Sequence, residues 1–240
     1  TVSAGQPLQI ILSGLVPDLS VASAKRAAAG TYSQIAAILG GGEGGSVSDE
    51  ERVRAIRQAN PDVVLLAGGI DGGAERPVLD AAKAATLACA MTEREDRPTI
   101  VYAGNAHLRR RVTEIVGDEA QLRVVENVRP TLDDESVWDA QQELQALFRQ
   151  RKLTTVPGLD TPAQWSAVPV TPTAHAFGQL VQYLWYLGDP DKGIVGLDIG
   201  GASTTVAAVF DEQLYLTVDG SAGVAFADLQ LGEDECLDAV

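Results

Sequence analysis

The sequence contains few of the residues that build disulfide frameworks and metal centres. In 240 residues it has two cysteines, two histidines and one methionine. Cys89 and Cys236 are far apart in the chain, and no histidine lies beside either of them at metal-ligand spacing. Two such cysteines exclude a disulfide-rich scaffold and a cysteine-based metal cluster, so both thiols are predicted to be reduced bystanders.

Basic residues and long apolar runs are also scarce. Lys and Arg number 18 against 33 Asp and Glu, which gives a net charge of −15. Such a surface repels phosphate backbones and anionic lipids, so neither nucleic acid nor membrane is expected as a partner. No apolar run reaches the roughly 18 residues needed to span a bilayer, and the polar start lacks the regions of a signal peptide. The predicted location is therefore the cytoplasm.

The first 130 residues alternate short apolar runs with segments of helical periodicity. The runs predicted as strands are residues 8–16, 33–39, 62–68, 99–104 and 121–128. Asp18 and Asn105 are predicted N-caps of two intervening helices, and Ser48 with Glu51 forms a capping box at the start of another. Strands separated by such helices require right-handed parallel crossovers. The sequence therefore predicts a Rossmann-like or flavodoxin-like sheet with helices on both faces.

The pattern changes after this region. An acidic segment at about 133–150 predicts one more helix. Residues 153–172 contain four prolines and are predicted to form an extended connector. Thr173 is predicted to cap a helix that ends near Leu187.

The end of the chain predicts a second type of sheet. Strands are expected at 193–199, 203–210 and 213–218. Two or three residues between strands are too few for a parallel crossover, so these strands should form an antiparallel meander. The predicted organisation is a Rossmann-like domain at 1–152, the connector at 153–172 and a second domain at 173–240.

The most informative motif is the string from Asp198 to Thr205. It places an acid at a strand end, then Gly200, Gly201 and Ala202, then the hydroxyl residues Ser203, Thr204 and Thr205. Glycines let backbone N–H groups approach an anion closely, and a carboxylate such as that of Asp198 can hold Mg²⁺ through water. The alternative is a tight hairpin turn followed by ordinary strand residues.

A second glycine cluster follows the third predicted strand. It contains Gly68, Gly69, Asp71, Gly72 and Gly73. In a sheet of order 2-1-3-4-5, ligands bind outside the carboxyl ends of the strands, between the first and third. A small molecule or cobalamin is one hypothesis for this crevice, although the Asp-x-His-x-x-Gly string of cobalamin-binding domains is absent. The alternative is that these are turn residues. We favour this alternative over a catalytic role, and a binding role stays open.

Several strings along the chain together resemble a known family. LDIGGASTTVAAVF is similar to the second phosphate-binding hairpin of the actin, Hsp70 and sugar-kinase ATPase superfamily. It is preceded, in order, by SGLVPDLS at 13–20, LLAGGIDGG at 65–73, VYAGN at 101–105 and VVENVRP at 124–130. With these strings, nearly the whole chain resembles the MutL accessory proteins of adenosylcobalamin-dependent glutamate mutase, which are unrelated to the mismatch-repair protein of that name.

This resemblance implies an ATP-dependent reactivating chaperone that helps a B12-dependent mutase release damaged cofactor. It implies ATP and Mg²⁺ as cofactors, a mutase subunit as partner, and part of an actin-like ATPase (ribonuclease H-like) lobe at 173–240. The residues that match the family's phosphate hairpin are Asp198, Gly200, Gly201, Ser203 and Thr204. Thr205 departs from the family, in which an Asp is usual at this position.

Two parts of an ATP site are not found in the sequence. No Asp-x-Gly-Ser/Thr string of a first phosphate hairpin precedes residue 198, and no adenosine-binding segment follows it. We therefore expect the sequence to be an internal piece of a longer protein and to hydrolyse ATP negligibly by itself. The alternatives are a non-enzymatic module that docks on a mutase subunit, or a small-molecule or cobalamin-binding α/β domain.

Overall fold

The computed structural model describes residues 6–40, 47–158, 165, 170–189 and 191–224. It contains two compact units. Most of the first 151 residues form the parallel-sheet unit, and the described residues from Lys152 onward form most of the second, the hairpin unit. Among the described residues, no helix combines the length and the apolar character that crossing a membrane requires.

The parallel-sheet unit is built on five strands. They are β1 (Leu8–Ser13), β2 (Ser33–Leu39), β3 (Val63–Leu66), β4 (Thr99–Tyr102) and β5 (Leu122–Val124). Their order is β2-β1-β3-β4-β5, and every neighbouring pair is parallel. The predicted parallel sheet is thus confirmed. The central strand β3 is buried along its whole length, as expected for a strand covered on both faces.

Five helices surround this sheet. They are α1 (Ala22–Ala29), α2 (Asp49–Ala59), α3 (Arg76–Ala90), α4 (Arg109–Val116) and α5 (Trp138–Arg151). The helices α2, α3 and α4 share one apolar core with Ile11, Val64, Leu66, Ile100 and Tyr102 of the strands. Alternate strand residues point to the opposite face, which is left for α1 and α5 to cover. These two helices are joined where the Gln141 side chain donates to the carbonyl of Arg26 at 3.1 Å.

The entry to α1 differs from the prediction. Asp18 does not cap the helix; it lies within a π-helical turn, Pro17–Val21, whose N-cap position is Val16. The Ser20 hydroxyl accepts hydrogen bonds from the backbone N–H groups of Leu15 and Val16, at 2.9 and 3.1 Å. The Ser20 side chain, inside the turn, is therefore the hydrogen-bond acceptor for the backbone N–H groups that precede the turn.

The start of α5 also differs, because the helix begins at Trp138 rather than near Asp133. The Thr131 hydroxyl accepts hydrogen bonds from the N–H groups of Asp133 and Asp134, at 3.3 and 2.9 Å. This local hydroxyl turn competes with helix formation, as threonine side chains commonly do.

The edge strand β2 contains an irregularity that the sequence pattern did not predict. Ile10 pairs with Ile35, whereas the next residue of β1, Ile11, pairs with Ala37, so one residue of β2 is bulged out. The bulge brings Ile35 and Ile38 to the same face although they are three residues apart. Both side chains remain exposed at this edge, at 38% and 41%.

The hairpin unit contains one long described helix and three strands. They are α6 (Thr173–Leu187), β6 (Ile194–Ile199), β7 (Thr204–Phe210) and β8 (Gln213–Asp219). The strands form an antiparallel sheet in the order β6-β7-β8, which confirms the predicted meander. Val181 and Trp185 of α6 pack on one face of the sheet. Gly196 permits this contact, since a Cβ there would lie 2.5 Å from Val181 Cγ2.

One smaller prediction in this region is wrong. Thr173 is the first helical residue of α6, and Pro172 occupies the N-cap position without a side-chain hydrogen bond. Of the three tryptophans of the chain, Trp185 is buried, whereas Trp138 and Trp165 are exposed. Much of the predicted connector, residues 159–164 and 166–169, lies outside the described residues.

Candidate functional site

The turn between β6 and β7 presents several backbone donors. Gly200 N–H closes the turn by donating to the carbonyl of Ser203 at 2.9 Å, and the carbonyl of Gly200 accepts from Val224 N–H at 3.0 Å. Within the described part of the chain, the N–H groups of Gly201, Ala202 and Ser203 donate no hydrogen bond. Three successive donors at a strand end are the arrangement that a phosphate group can use.

The glycines of this turn are not required by its backbone conformation. Neither Gly200 nor Gly201 has φ in the left-handed region that favours glycine. A Cβ on Gly201 would meet no atom within 4 Å, and one on Gly200 would lie 3.1 Å from the carbonyl oxygen of Ser203. The fold would therefore accept a side chain at residue 201, and its absence leaves the neighbouring N–H groups open to close approach by a ligand.

Asp198 and Thr205 form a cross-strand pair next to the turn. They are directly opposite each other in the β6–β7 register. Thr205 is buried and Asp198 is half-buried. Neither side chain hydrogen-bonds to another described residue. Among the described residues, no group of three or more His, Cys, Asp or Glu side chains could hold a metal ion.

Thr204 has a structural partner. Its hydroxyl donates to the carbonyl of Ala222, which fastens the segment after β8 to the turn. In the same segment, Asp219 Oδ1 accepts from the hydroxyl and the N–H of Ser221, at 2.7 and 2.8 Å. Both hydrogen bonds lower the pKa of the Asp219 carboxyl, and the bond from the Ser221 hydroxyl has the larger effect. The end of β8 thus supports the turn from one side.

The second glycine cluster lies at the carboxyl edge of the parallel sheet, where it is bonded into the fold. Asp71 Oδ1 accepts from the N–H of Ala106 at 2.7 Å and from Asn127 Nδ2 at 2.8 Å. Asp71 N–H donates to the carbonyl of Pro130 at 2.9 Å, and Asn127 Nδ2 also donates to the carbonyl of Gly69 at 3.0 Å. The loops that follow β3, β4 and β5 are thereby joined to one another.

Asn105 is the second junction of this edge. It is fully buried, and its Oδ1 accepts from the N–H groups of Gly72 at 3.1 Å and His107 at 3.0 Å. Asn105 is thus an N-cap as predicted, but of a 3-10 turn, Ala106–Leu108, that leads directly into α4; the N-cap position of α4 itself is Leu108. The Tyr102 hydroxyl donates to the carbonyl of Asn105 at 2.8 Å. Burial raises the pKa of Tyr102 well above its ordinary value, and the charge of Asp71 adds to this effect.

The glycines here, unlike Gly201, are needed by the backbone. Gly69 and Gly72 have φ of +70° and +73°, and a Cβ on Gly69 would lie 2.9 Å from the carbonyl oxygen of Ala74. Sequence reasoning identified the glycines and Asp71 but assigned no role to Asn127. The available signal was its place near the carboxyl end of the fifth predicted strand, 121–128.

The segment between β5 and α5 runs across this edge to α1. The Glu135 carboxylate accepts from the Ser23 hydroxyl at 2.5 Å and from Arg26 Nε at 2.8 Å. Burial by itself would raise the pKa of Glu135, but these hydrogen bonds and the charges of Arg26 and Arg129 outweigh it and hold the pKa below its ordinary value. The segment is therefore held near its start, where Pro130 accepts from Asp71, and near its end, where Glu135 bonds to α1.

The remaining reactive side chains have ordinary surroundings. Arg109, Arg110 and Arg111 form ion pairs with Glu126, Glu114 and Glu75, respectively. His107 is exposed. Cys89 is a free, buried thiol, and burial raises its pKa to about 11, so it stays protonated at neutral pH. Cys236 lies outside the described residues.

The chain resembles known proteins over nearly its whole length. A family model described as MutL protein matches residues 1–225. The chain is also similar to a curated protein of Clostridium tetanomorphum named Protein MutL, with 30% identity over 251 aligned residues. The alignment covers 96% of this chain and 52% of that protein, so the chain spans about half the length of the curated relative it matches. No solved structure matches the chain.

Proposed function

Because the chain belongs to the MutL protein family, we propose that it is part of a glutamate mutase accessory protein that uses ATP to reactivate a B12-dependent mutase. In this proposal the hairpin unit is part of an actin-like ATPase lobe, and its β6–β7 turn binds the nucleotide phosphates. The observation that supports it is the turn itself, where the N–H groups of Gly201, Ala202 and Ser203 donate no hydrogen bond within the described residues.

Each residue of the turn has a defined task in this proposal. The three N–H groups donate to phosphate oxygens, and Gly201 admits the phosphate because it carries no side chain. Asp198 accepts from water bound to Mg²⁺, an arrangement that hard divalent cations favour. Thr205, opposite Asp198, offers a hydroxyl and no charge, so the metal is held by one carboxylate and by the phosphates.

The binding of Mg·ADP and Mg·ATP to the full-length protein tests this function. Gly201→Val should weaken binding at least about tenfold, because its side chain blocks approach to the donors although the fold has room for it. Asp198→Asn should weaken the Mg²⁺-dependent part of binding. Asp211→Asn, in the β7–β8 turn, is the matched control and should bind as the parent does. Calorimetric affinities equal for the parent and Gly201→Val would contradict the proposal.

A second function, docking of the parallel-sheet unit on a mutase subunit, is supported by a groove between α2 and α3. The groove is lined by the apolar Val53 and Leu87, by Arg54, Arg57 and Gln58, and by the acidic Asp49 and Glu50. Neither of these arginines forms an ion pair within the described residues, whereas each of Arg109, Arg110 and Arg111 does. Arg54 and Arg57 are therefore the groups that can pair with acidic side chains of a partner segment whose apolar side chains meet Val53 and Leu87.

Mutase capture by the immobilised protein tests this second function. Replacement of Arg54 and Arg57 by Glu should weaken capture, and the loss should diminish at high salt, where charge interactions are screened. Arg110→Glu provides a charge reversal outside the groove. Equal capture by the groove variant and the parent would reject this docking surface.

A further inference from the structure

The strand β6 carries apolar side chains on both faces, although it lies at the edge of its sheet. Ile194 and Gly196 face α6 and its core. On the opposite face, Val195, Leu197 and Ile199 are 63%, 59% and 57% exposed. A strand that is apolar on both faces is typical of a sheet that is covered on both faces.

The other edge strand, β8, has the pattern expected beside water. Its residues Leu214, Leu216 and Val218 are buried, and they alternate with exposed residues of which Gln213, Thr217 and Asp219 are polar. Apolar residues inside and polar residues outside are the usual alternation of an antiparallel strand with one solvated face. The exposed apolar side chains of the sheet are therefore concentrated toward β6.

The register places further large side chains on this exposed face. Val206 lies opposite Leu197, and Tyr215 lies opposite Ala208, which in turn is opposite Val195. The Phe210 ring lies 6.4 Å from that of Tyr215. We call this surface the open face; its large apolar members are Val195, Leu197, Ile199, Val206, Phe210 and Tyr215. Large contiguous apolar patches are rare on monomeric proteins and mark interaction surfaces.

Two observations bear on what covers the open face. Of the described strand residues on this face, only Asp219 at the end of β8 is charged, which suits a permanent interface better than a transient one, since permanent interfaces are the more apolar. The chain spans 52% of its Clostridium tetanomorphum relative, so a protein of that length has about as many residues again. A second copy is less suitable, because each copy carries a net charge of −15.

We propose that the open face and the free edge of β6 are the surface on which the rest of the full-length protein packs. The occupant is a segment of the same polypeptide beyond these 240 residues, apolar where it meets Leu197 and Val206. This packing does not depend on nucleotide binding at the turn. Since β6 leads directly into Gly200–Ser203, the packed segment also fixes the position of that turn.

Thiol labelling tests the proposal. Leu197→Cys and Val206→Cys are made with Cys236 replaced by Ser; the remaining Cys89 is buried. In the 240-residue chain, both thiols should react rapidly with a small maleimide. In the full-length protein, both should react at least about tenfold more slowly, because labelling then requires local opening of the packed segment. The protection should not depend on protein concentration or on added nucleotide.

The control is Arg110→Cys, on an exposed position of α4, which should react equally fast in both proteins. Equal labelling of Leu197→Cys in the two proteins would overturn the proposal. Protection that increases with protein concentration would overturn it in favour of a second copy. Hydroxyl-radical footprinting of Phe210 and Tyr215 repeats the comparison in unsubstituted proteins, so the result does not depend on whether a variant folds. Because no readout requires nucleotide, failure here is distinguishable from failure of the proposed ATP function.

Discussion

Two buried asparagines hold the carboxyl edge of the parallel sheet. Asn105 follows β4 and Asn127 follows β5, and each is at most 2% exposed. Both side chains hydrogen-bond to the loop that follows β3. Buried polar side chains that bond the main chain in this way fix loop positions, and the groups they serve are costly to leave unpaired.

The first prediction concerns Asn105. Asn105→Ala removes the acceptor for the N–H groups of Gly72 and His107. The free energy of unfolding should fall by about 1–3 kcal/mol, the usual cost of leaving buried donors unsatisfied. Denaturant unfolding measures the difference. Asn105→Ser keeps a neutral N-cap acceptor for the N–H of His107 and should lose less; if the two variants were equally destabilised, the hydrogen bonds would not be the cause.

The second prediction concerns the pH dependence of Glu135. Its pKa is depressed in the folded protein, so the carboxylate contributes stability above its unfolded pKa. That contribution should be lost as the pH falls through the ordinary glutamate range and then through the lower folded pKa. Glu135→Gln should therefore be less stable than the parent at neutral pH, and the difference should disappear in acid. A difference that stays constant with pH would contradict this assignment.

At the scale of single elements, the start of α2 shows local residues deciding a helix boundary. The Ser48 hydroxyl accepts from Glu51 N–H at 3.3 Å, and Ser48 N–H donates to Glu51 Oε2 at 2.9 Å. This is the capping box that the sequence predicted, and it is confirmed. The backbone hydrogen bond from Ser48 is the main reason that the pKa of Glu51 is lowered.

The third prediction follows from this cap. Ser48→Ala should lower the free energy of unfolding by about 1 kcal/mol, because a helix N-terminal donor loses its acceptor. Ser48→Thr keeps the hydroxyl and should be close to the parent. In Ser48→Ala, an NMR titration should also show the pKa of Glu51 moving back toward its ordinary value, since the side-chain bond is lost. An unchanged Glu51 titration would show that the capping box does not persist in solution.

At the scale of the whole molecule, the phosphate donors that we propose in the hairpin unit all lie on one turn, the one between β6 and β7. Phosphoryl transfer is catalysed mainly by positioning and by stabilising charge on all sides of the phosphate. Phosphates held on one side stay in contact with water, which weakens each contact. Under the proposed function, the 240-residue chain would thus supply only part of the environment that the reaction needs.

The fourth prediction is that this chain alone hydrolyses ATP negligibly. Steady-state phosphate release measures it, with the full-length protein as the positive control. Asp198→Ala should not change the background rate of the 240-residue chain. Robust turnover by residues 1–240 that Asp198→Ala abolishes would show that the chain holds a complete site.

The sequence by itself determined the features that depend on local chemistry. The strand and helix alternation, the Ser48 cap, the Asn105 cap and the short β6–β7 and β7–β8 turns all follow from residues close together in the chain, and the order of the strings also predicted the MutL family, which is confirmed. Helix starts at Asp18 and Asp133 were predicted wrongly, because hydroxyls at Ser20 and Thr131 offered the backbone other partners.

Only the tertiary structure decided which distant residues meet and which surfaces stay uncovered. Asp71 and Asn127 are 56 residues apart, and no local pattern pairs them; parallel strands bring their loops to one edge of the sheet. The bulge in β2 depends on its register with β1, which periodicity does not specify. Likewise, the sequence predicted β6 as a strand of the meander, and only the structure shows that Val195, Leu197 and Ile199 are exposed on one of its faces.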